Sequence, residues 1–318
     1  MGAQFRIKRR IAQVAVTENG QATYDIPRGY DIEGIHLRLA GDVVVTTAGA
    51  AVRAEAPTQL IKRVELIADG KNTLVSVPFV MLNKGNVFRK QLGKLTPPSA
   101  AAIATYSVEA DGMIDFALVD GIRPKDSSLR TYGMSLLQMR FTFGQAEDLF
   151  TGAPVGTLTG MYVEISLVEC VEERDAKGDF VTKPIALKKV AYQDINVAAS
   201  NANQEIVLPV GNGMRGVILR AEINGEPSDA VINNIILQSG VDVQFNLPAK
   251  VAKRINEHDY ELTMPVGFYV ADMMKFGPSD VKLADVWDLT RASEAKLVLD
   301  VTGGAGYKVT VETIEFIG

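Results

Sequence analysis

The side chains that could perform catalysis or bind a metal are few in this chain. One cysteine, Cys170, and two histidines, His36 and His258, occur among 318 residues. With only two histidines, any metal centre or catalytic mechanism that needs three histidines is excluded. His258 stands between Glu257 and Asp259, which allows a divalent-ion site. The interpretation that we favour is a solvated helix end.

Two glycine-rich segments have the composition of phosphate-binding loops but not their context. Gly211–Gly216 satisfies the G-x-G-x-x-G pattern, yet a strand-like run follows it where a dinucleotide site needs a helix. Gly303–Gly306 lacks the Lys-Ser/Thr of a nucleotide loop. We expect both to be turns between strands. Cys170 is expected to be a packed side chain and Trp287 a loop anchor, so the sequence predicts no catalytic residue, no metal and no cofactor.

A small basic segment at the N-terminus is the remaining candidate. Arg6, Lys8, Arg9 and Arg10 carry four positive charges, and the first ten residues contain no acid. Apolar residues alternate with them, so anionic lipid or nucleic acid would attract this arm. The alternative is a solvated terminus. The formal net charge of −5 argues against a global basic field, and we expect no sequence-specific nucleic-acid partner.

Period-two alternation of apolar residues dominates the chain and predicts an all-β protein. Asn-Gly and Asp-Gly pairs separate the runs, which favours antiparallel hairpins. Helical patterns cover only Pro78–Gly93, Pro248–His258 with the apolar pair Val251 and Ile255, and a short turn within Asp285–Thr290. The alternating runs are Ile35/Leu37/Leu39, Val64/Leu66/Ala68, Met139/Phe141/Phe143 and Val163/Ile165/Leu167.

The sequence repeats itself once. Tyr24–Arg38 aligns without gaps to Ile206–Arg220, which matches Pro27 to Pro209, Gly29 to Gly211, Gly34 to Gly216 and Arg38 to Arg220. Two further blocks follow in the same order, so we predict two tandem β-sandwiches. The charged segment 173–184 is the predicted linker between residues 1–172 and 185–318. The first copy has about 14 extra residues, expected around Leu95–Ser107 and exposed.

The arrangement resembles the double jelly-roll major capsid proteins of tailless icosahedral viruses, the corticovirus, tectivirus and autolykivirus groups. The resemblance lies in the Pro-x-Gly turn and Leu-Arg strand of Ile26–Gly41, and in the Val-Glu-Leu-x-x-Asp-Gly hairpin within Leu60–Gly70. It continues in the helix-like Pro78–Asn86 and in the closing pattern of Trp287–Glu315. It implies two eight-stranded jelly rolls, residues 1–172 with the basic arm and residues 185–318.

The resemblance also implies a role. Family members form homotrimers, whose six jelly rolls make a pseudo-hexagonal capsomer that tiles the virion. Their N-terminal arm lies inside near a membrane, which here means Arg6, Lys8, Arg9 and Arg10. The expected partners are copies of the chain, a penton or vertex protein, and an internal lipid membrane. The expected location is the virion after synthesis in the host cytoplasm, because no export signal is present. The alternatives are a tandem jelly-roll carbohydrate-binding protein and a glycan-processing enzyme.

Overall fold

The computed structural model describes residues 6–118, 121, 124–171, 185–275, 277 and 281–318. The chain forms two compact units. Unit 1 comprises Met1–Asn86, Leu92–Ala117 and Lys125–Ile185, and unit 2 comprises Val87–Gln91, Leu118–Pro124 and Ala186–Gly318. The predicted linker 173–184 lies outside the described residues, so the predicted domain boundaries stay a prediction.

Unit 1 is built from antiparallel strands and one short helix. Its helix α1 is Phe79–Gly85. Its strands are β1 (Arg6–Ala15), β2 (Gln21–Asp25), β3 (Asp31–Thr47), β4 (Ala51–Val52), β5 (Ile61–Ala68), β6 (Asn72–Val77), β7 (Leu95–Thr96), β8 (Thr105–Asp115), β9 (Leu137–Phe143), β10 (Phe150–Thr151) and β11 (Val155–Cys170).

Unit 2 repeats this plan with a longer helix, α2 (Ala249–Tyr260). Its strands are β12 (Leu187–Asn196), β13 (Asn201–Val207), β14 (Gly213–Ile223), β15 (Glu226–Pro227), β16 (Ile232–Ser239), β17 (Asp242–Pro248), β18 (Phe268–Asp272), β19 (Trp287–Asp288), β20 (Lys296–Val301) and β21 (Tyr307–Ile317). The 3-10 helices of the chain are Ala56–Leu60, Asn86–Arg89, Pro124–Ser127, Ala146–Leu149 and Leu283–Asp285.

The long strands of the two units pair in the same order. Unit 1 has one sheet in the order β1-β11-β3-β8, which β7 extends, and a second in the order β2-β9-β5-β6. Unit 2 has β12-β21-β14 with β18 beside β14, and β13-β20-β16-β17. Each pairing in unit 1 therefore has its counterpart in unit 2, as a duplication predicts. Eight long strands in two sheets form each sandwich.

The predicted alternation places the core correctly. Ile35, Leu37 and Leu39 on β3 are fully buried, and the same holds for Val163, Ile165 and Leu167 on β11. The equivalent strands of unit 2 bury Val217 and Leu219 on β14 and Val309 and Val311 on β21. Because successive side chains of a strand point to opposite faces, these rows fill the space between the two sheets of each unit.

Two hairpin turns show why their dipeptides occur where they do. Asp69-Gly70 joins β5 to β6, and Asn224-Gly225 follows β14. All four residues have positive φ, from 52° to 84°. A two-residue turn with positive φ at both positions matches the twist of an antiparallel pair, and Asn, Asp and Gly tolerate it best.

Helices α1 and α2 lie at the predicted segments, but the buried face of α2 differs from the predicted one. Val251 and Ile255, the pair that suggested the helix, are 42% and 40% exposed. The helix instead buries Ala249, Ala252 and Tyr260, and Asn256, whose side chain exchanges two 2.9 Å hydrogen bonds with the backbone of Val270. The helical spacing was thus right and the choice of buried face was wrong, because a buried amide and small alanines fit closely against β18. The turn predicted within Asp285–Thr290 is also displaced, because the 3-10 helix Leu283–Asp285 precedes strand β19 there.

Candidate assembly surfaces

The four basic residues of the predicted arm lie in the first half of β1. This strand pairs with β11 from Arg6↔Cys170 to Ala15↔Tyr162, with a bulge after Arg10. Arg6 contacts Glu33 at 2.7 Å, Arg9 contacts Glu169 at 2.7 Å, and Arg10 contacts Glu164 at 3.3 Å. The segment is thus an ion-paired edge strand over its described residues, and its orientation toward a virion interior stays a prediction.

Burial differs along this row of ion pairs. The carboxylate of Glu169 is almost fully buried and receives two hydrogen bonds from Arg9, which raise the pKa of Arg9. The Arg10 side chain is 63% exposed, so its pair with Glu164 contributes little. Lys8 is exposed and has no ion pair within the part of the chain that the structure describes.

The outer face of the same sheet carries a second group of charges. Arg38 and Lys94 both bind the Glu109 carboxylate, and their hydrogen bonds, that of Lys94 first, lower the pKa of Glu109. His36 lies 3.9 Å from Asp111. Burial raises the pKa of Asp111 against the opposing charge of His36. These pairs match a polar sheet surface, and nothing in them resembles a general acid and base aimed at a common substrate.

The other candidate residues do not converge on one place. His258 lies in the last turn of α2, 70% exposed, beside Asp259 at 3.1 Å. The thiol of Cys170 is buried next to the Lys125 ammonium at 2.6 Å. Among the described residues, no group of three or more His, Cys, Asp or Glu side chains could hold a metal ion.

The glycine motifs and the tryptophan have structural roles. Residues 211–212 form a bend before β14 and Gly213–Gly216 already belong to that strand, whereas Gly303–Gly306 lies in the turn that joins β20 to β21, so neither segment precedes a helix. Trp287 pairs with Met214 in the short strand β19 and packs against the core of unit 2. The extra residues of unit 1 around Leu95–Ser107 are mostly exposed, with Ile103 at 69%.

Each unit has an open cavity on its described surface. The larger, about 480 Å³, lies between the Asp25–Gly29 turn and residues 131–137 of unit 1. The smaller, about 260 Å³, lies beside the Gly304–Lys308 turn of unit 2. Neither is lined by a pair of carboxyl groups or by a row of aromatic rings that could stack on a sugar.

A buried ionic cluster in unit 2 escaped the sequence analysis. Arg215 donates two hydrogen bonds to the Asp272 carboxylate, at 3.0 and 2.7 Å, and the Tyr260 hydroxyl donates a third at 2.7 Å. The Arg215 guanidinium also stacks over the Phe88 ring, 4.0 Å from its centroid. A signal was available in the sequence, because Arg215, Arg220 and Glu222 interrupt the otherwise apolar run Gly213–Ile223. Their burial could not be deduced without the fold.

No protein-family model matches this sequence, and no curated protein is detectably similar to it. Among the described helices, none is both long and apolar enough to cross a membrane.

Solved structures of capsid proteins share the architecture over nearly the whole chain. The STIV major capsid protein, from the Sulfolobus turreted icosahedral virus, matches with a TM-score of 0.78 over 98% of this chain and 97% of its own, at 16% identity. The major capsid protein of bacteriophage PM2 matches with a TM-score of 0.64, over 99% and 98%, at 15% identity. The chain has the double jelly-roll fold.

The capsid of PBCV-1 virus shares the double jelly roll more distantly. Its TM-score is 0.62, over 99% of this chain and 94% of its own, at 10% identity. At 10–16% identity the shared property is the fold, and the prediction of two tandem eight-stranded jelly rolls is confirmed. The similarity covers both units, and it extends over 94–98% of the length of these capsid proteins.

Proposed function

We propose that this chain is the major capsid protein of an icosahedral virion, where it acts as a structural subunit and not as an enzyme. The observation that carries the proposal is the match to capsid proteins over 97–98% of their own length in the two relatives described first. A fold by itself does not imply a function. Here the polar groups also fit a structural role, because they form ion pairs along sheets and do not converge in a cleft.

The capsomer that we propose is a homotrimer. Two equivalent sandwiches in one chain let three copies present six similar blocks, which approximates six-fold packing with three-fold symmetry. Such trimers would tile the virion after synthesis in the host cytoplasm, with a penton or vertex protein at the five-fold positions.

The first experiment is the native mass of the purified chain by light scattering. A stable species near 103 kDa, three copies of 34.4 kDa, with hexagonal outlines in negative stain, supports the proposal. A monomer at high concentration that forms no particles contradicts it. Glycan arrays and hydrolase assays would then test the two alternatives, a carbohydrate-binding protein and a glycan-processing enzyme.

We also propose that the basic face of β1 lies toward an internal membrane. Deleting residues 2–10 would remove half of β1 and leave Glu169 buried without Arg9, so substitution tests the idea more cleanly. At a protein concentration where both proteins are trimeric, Lys8→Gln with Arg10→Gln should weaken the binding of the trimers to vesicles of anionic lipid. Lys71→Gln, in an exposed turn of unit 1, is the control. Unchanged vesicle binding by the double variant would refute this proposal.

A further inference from the structure

Strand β17 is a sheet edge with exposed apolar residues. Among the described strands it pairs with β16 alone, so its other side presents free backbone N–H and C=O groups. Val243 on this strand is 52% exposed, and Val241 in the turn before it is 95% exposed. Edge strands with exposed apolar residues tend to pair with another chain unless they are protected.

The outer face of the sheet that ends at β17 carries both charged and apolar residues. Strand register places Val207, Lys296, Gln238 and Val243 in one row across this face. Lys296 lies between two carboxylates, Glu205 at 3.2 Å and Glu294 at 3.5 Å, and Glu205 belongs to β13, the edge opposite β17. Val207 is 74% exposed. The row thus has an exposed valine at each edge of the sheet.

Asp242 places a negative charge at the first position of β17. It is exposed and forms no ion pair within the described parts of the chain. Because successive side chains of a strand point to opposite faces, an incoming strand would meet this carboxylate on one face and Val243 on the other.

Strand β1 has the opposite character. It pairs only with β11 among the described strands and is therefore the edge of its own sheet. Lys8 and Arg10 are exposed on it, and Ile7 and Ile11 are half-buried between the charges. Cations and isoleucines on one edge thus complement the Asp242 carboxylate and the exposed valines on the other.

We propose that β1 of one copy adds as a strand to β17 of a second copy. Pairing of free edges supplies backbone hydrogen bonds, and the opposite charges align and select the partner. The two edges belong to different units, so the contact is heterologous. A heterologous contact produces a closed ring, such as a trimer, when the rotation that relates neighbouring copies returns to the first copy. The inference rests on the proposed trimer and assigns its contact surfaces.

Charge reversal tests the pairing. Lys8→Glu or Asp242→Lys alone should weaken trimerisation by about tenfold or more in the concentration at half-dissociation, measured by light scattering. The double variant Lys8→Glu/Asp242→Lys should recover most of the loss, which a merely misfolded variant would not do. Lys71→Glu is the matched control and should leave the mass distribution unchanged.

A cross-link provides an independent measurement. The Lys8→Cys/Val243→Cys variant, treated with a short bismaleimide, should give covalent trimers. The native chain, whose only thiol is the buried Cys170, sets the background, and Val155→Cys/Val243→Cys is the geometric control. Trimers that resist charge reversal and do not cross-link would overturn this inference and leave the proposed function intact. A chain that is monomeric at every concentration would overturn both.

Discussion

The outer faces of two equivalent sheets, β1-β11-β3-β8 in unit 1 and β12-β21-β14-β18 in unit 2, differ sharply. In unit 1 this face carries half-exposed ion pairs, among them Arg38–Glu109. In unit 2 the equivalent Arg220 has a side chain only 3% exposed and pairs with Glu222, while Ile218 and Ile314 are 1% exposed. The same strand order therefore occurs with a solvated outer face in unit 1 and with a buried outer face in unit 2. The order of strand pairing constrains the backbone but leaves the outward side chains free to vary.

The difference extends to the aligned glycines Gly34 and Gly216. Gly216 has φ of +154°, and a Cβ there would lie 1.9 Å from the backbone carbonyl oxygen of Ala271. A Cβ at Gly34 would instead meet the terminal methyl group of Met113 at 2.5 Å, which can move. Only Gly216 is therefore required by its backbone conformation.

The largest expected effect follows from these glycines. Gly216→Ala should lower the free energy of unfolding by about 4 kcal/mol, because both the dihedral angle and the β14–β18 contact must change. Gly34→Ala should cost about 1 kcal/mol. Urea denaturation of the two variants measures both values, and equal losses would show that the two positions are not distinguished by their backbones.

The aligned arginines should give the next largest difference. Arg220→Met leaves Glu222 buried, with Lys308 at 2.9 Å as its remaining cation among the described residues, so we expect a loss of about 3 kcal/mol in unfolding free energy. Arg38→Met removes a half-exposed pair and should cost less than about 1 kcal/mol. Thermal and urea unfolding of both variants provide the comparison. A loss at Arg38 as large as at Arg220 would contradict the assignment of solvated and buried faces.

The buried face of unit 2 should also respond to pH. Burial raises the pKa of Glu312 to about 7, opposed by the charge of Lys188. A carboxyl whose pKa is higher in the folded state stabilises the fold below its unfolded pKa and loses that contribution as pH rises through 7. The free energy of unfolding should therefore fall by about 2 kcal/mol between pH 5 and pH 8 through this group.

Glu312→Gln isolates that contribution. The variant should show a smaller decrease in unfolding free energy over the same pH range, with both proteins measured in the same buffers. A variant that retains the full decrease would assign the pH dependence to other groups.

The smallest effect is expected on the exposed face of unit 1. Lys94 is 58% exposed and shares Glu109 with Arg38. Lys94→Ala should lower the unfolding free energy by less than about 1 kcal/mol, and the difference should disappear in 1 M salt, where screening acts within about 3 Å. Thermal unfolding at two salt concentrations measures this. A loss that persists in high salt would indicate that Lys94 contributes by packing.

Local periodicity was sufficient for the strands and the duplication. Ile35, Leu37 and Leu39 alternate with polar residues, so the sequence alone indicates a strand with one apolar face, and the same holds for Val163–Leu167. Asp69-Gly70 and Asn224-Gly225 indicated their turns because few residues tolerate positive φ. The aligned Pro-x-Gly turns gave the repeat. These features depend on residues close together in the chain.

The environment of each outward residue needed the tertiary structure. Val251 and Ile255 have the spacing of a buried stripe, yet Asn256 and Tyr260 are buried instead, because β18 accepts their polar groups. The arm residues also looked like a free basic segment, and their carboxylate partners, Glu33, Glu164 and Glu169, lie far away in sequence on β3 and β11.

The sequence by itself therefore determined the strands, their turns and the doubling of the unit. The tertiary structure alone decided which of two aligned arginines is buried, which of two aligned glycines has no alternative, and which strands are edges. The physical reason is the distance along the chain between the residues that interact. Alternation and turn chemistry act between neighbouring residues, whereas burial, ion pairing and edge exposure depend on contacts between strands that are distant along the chain.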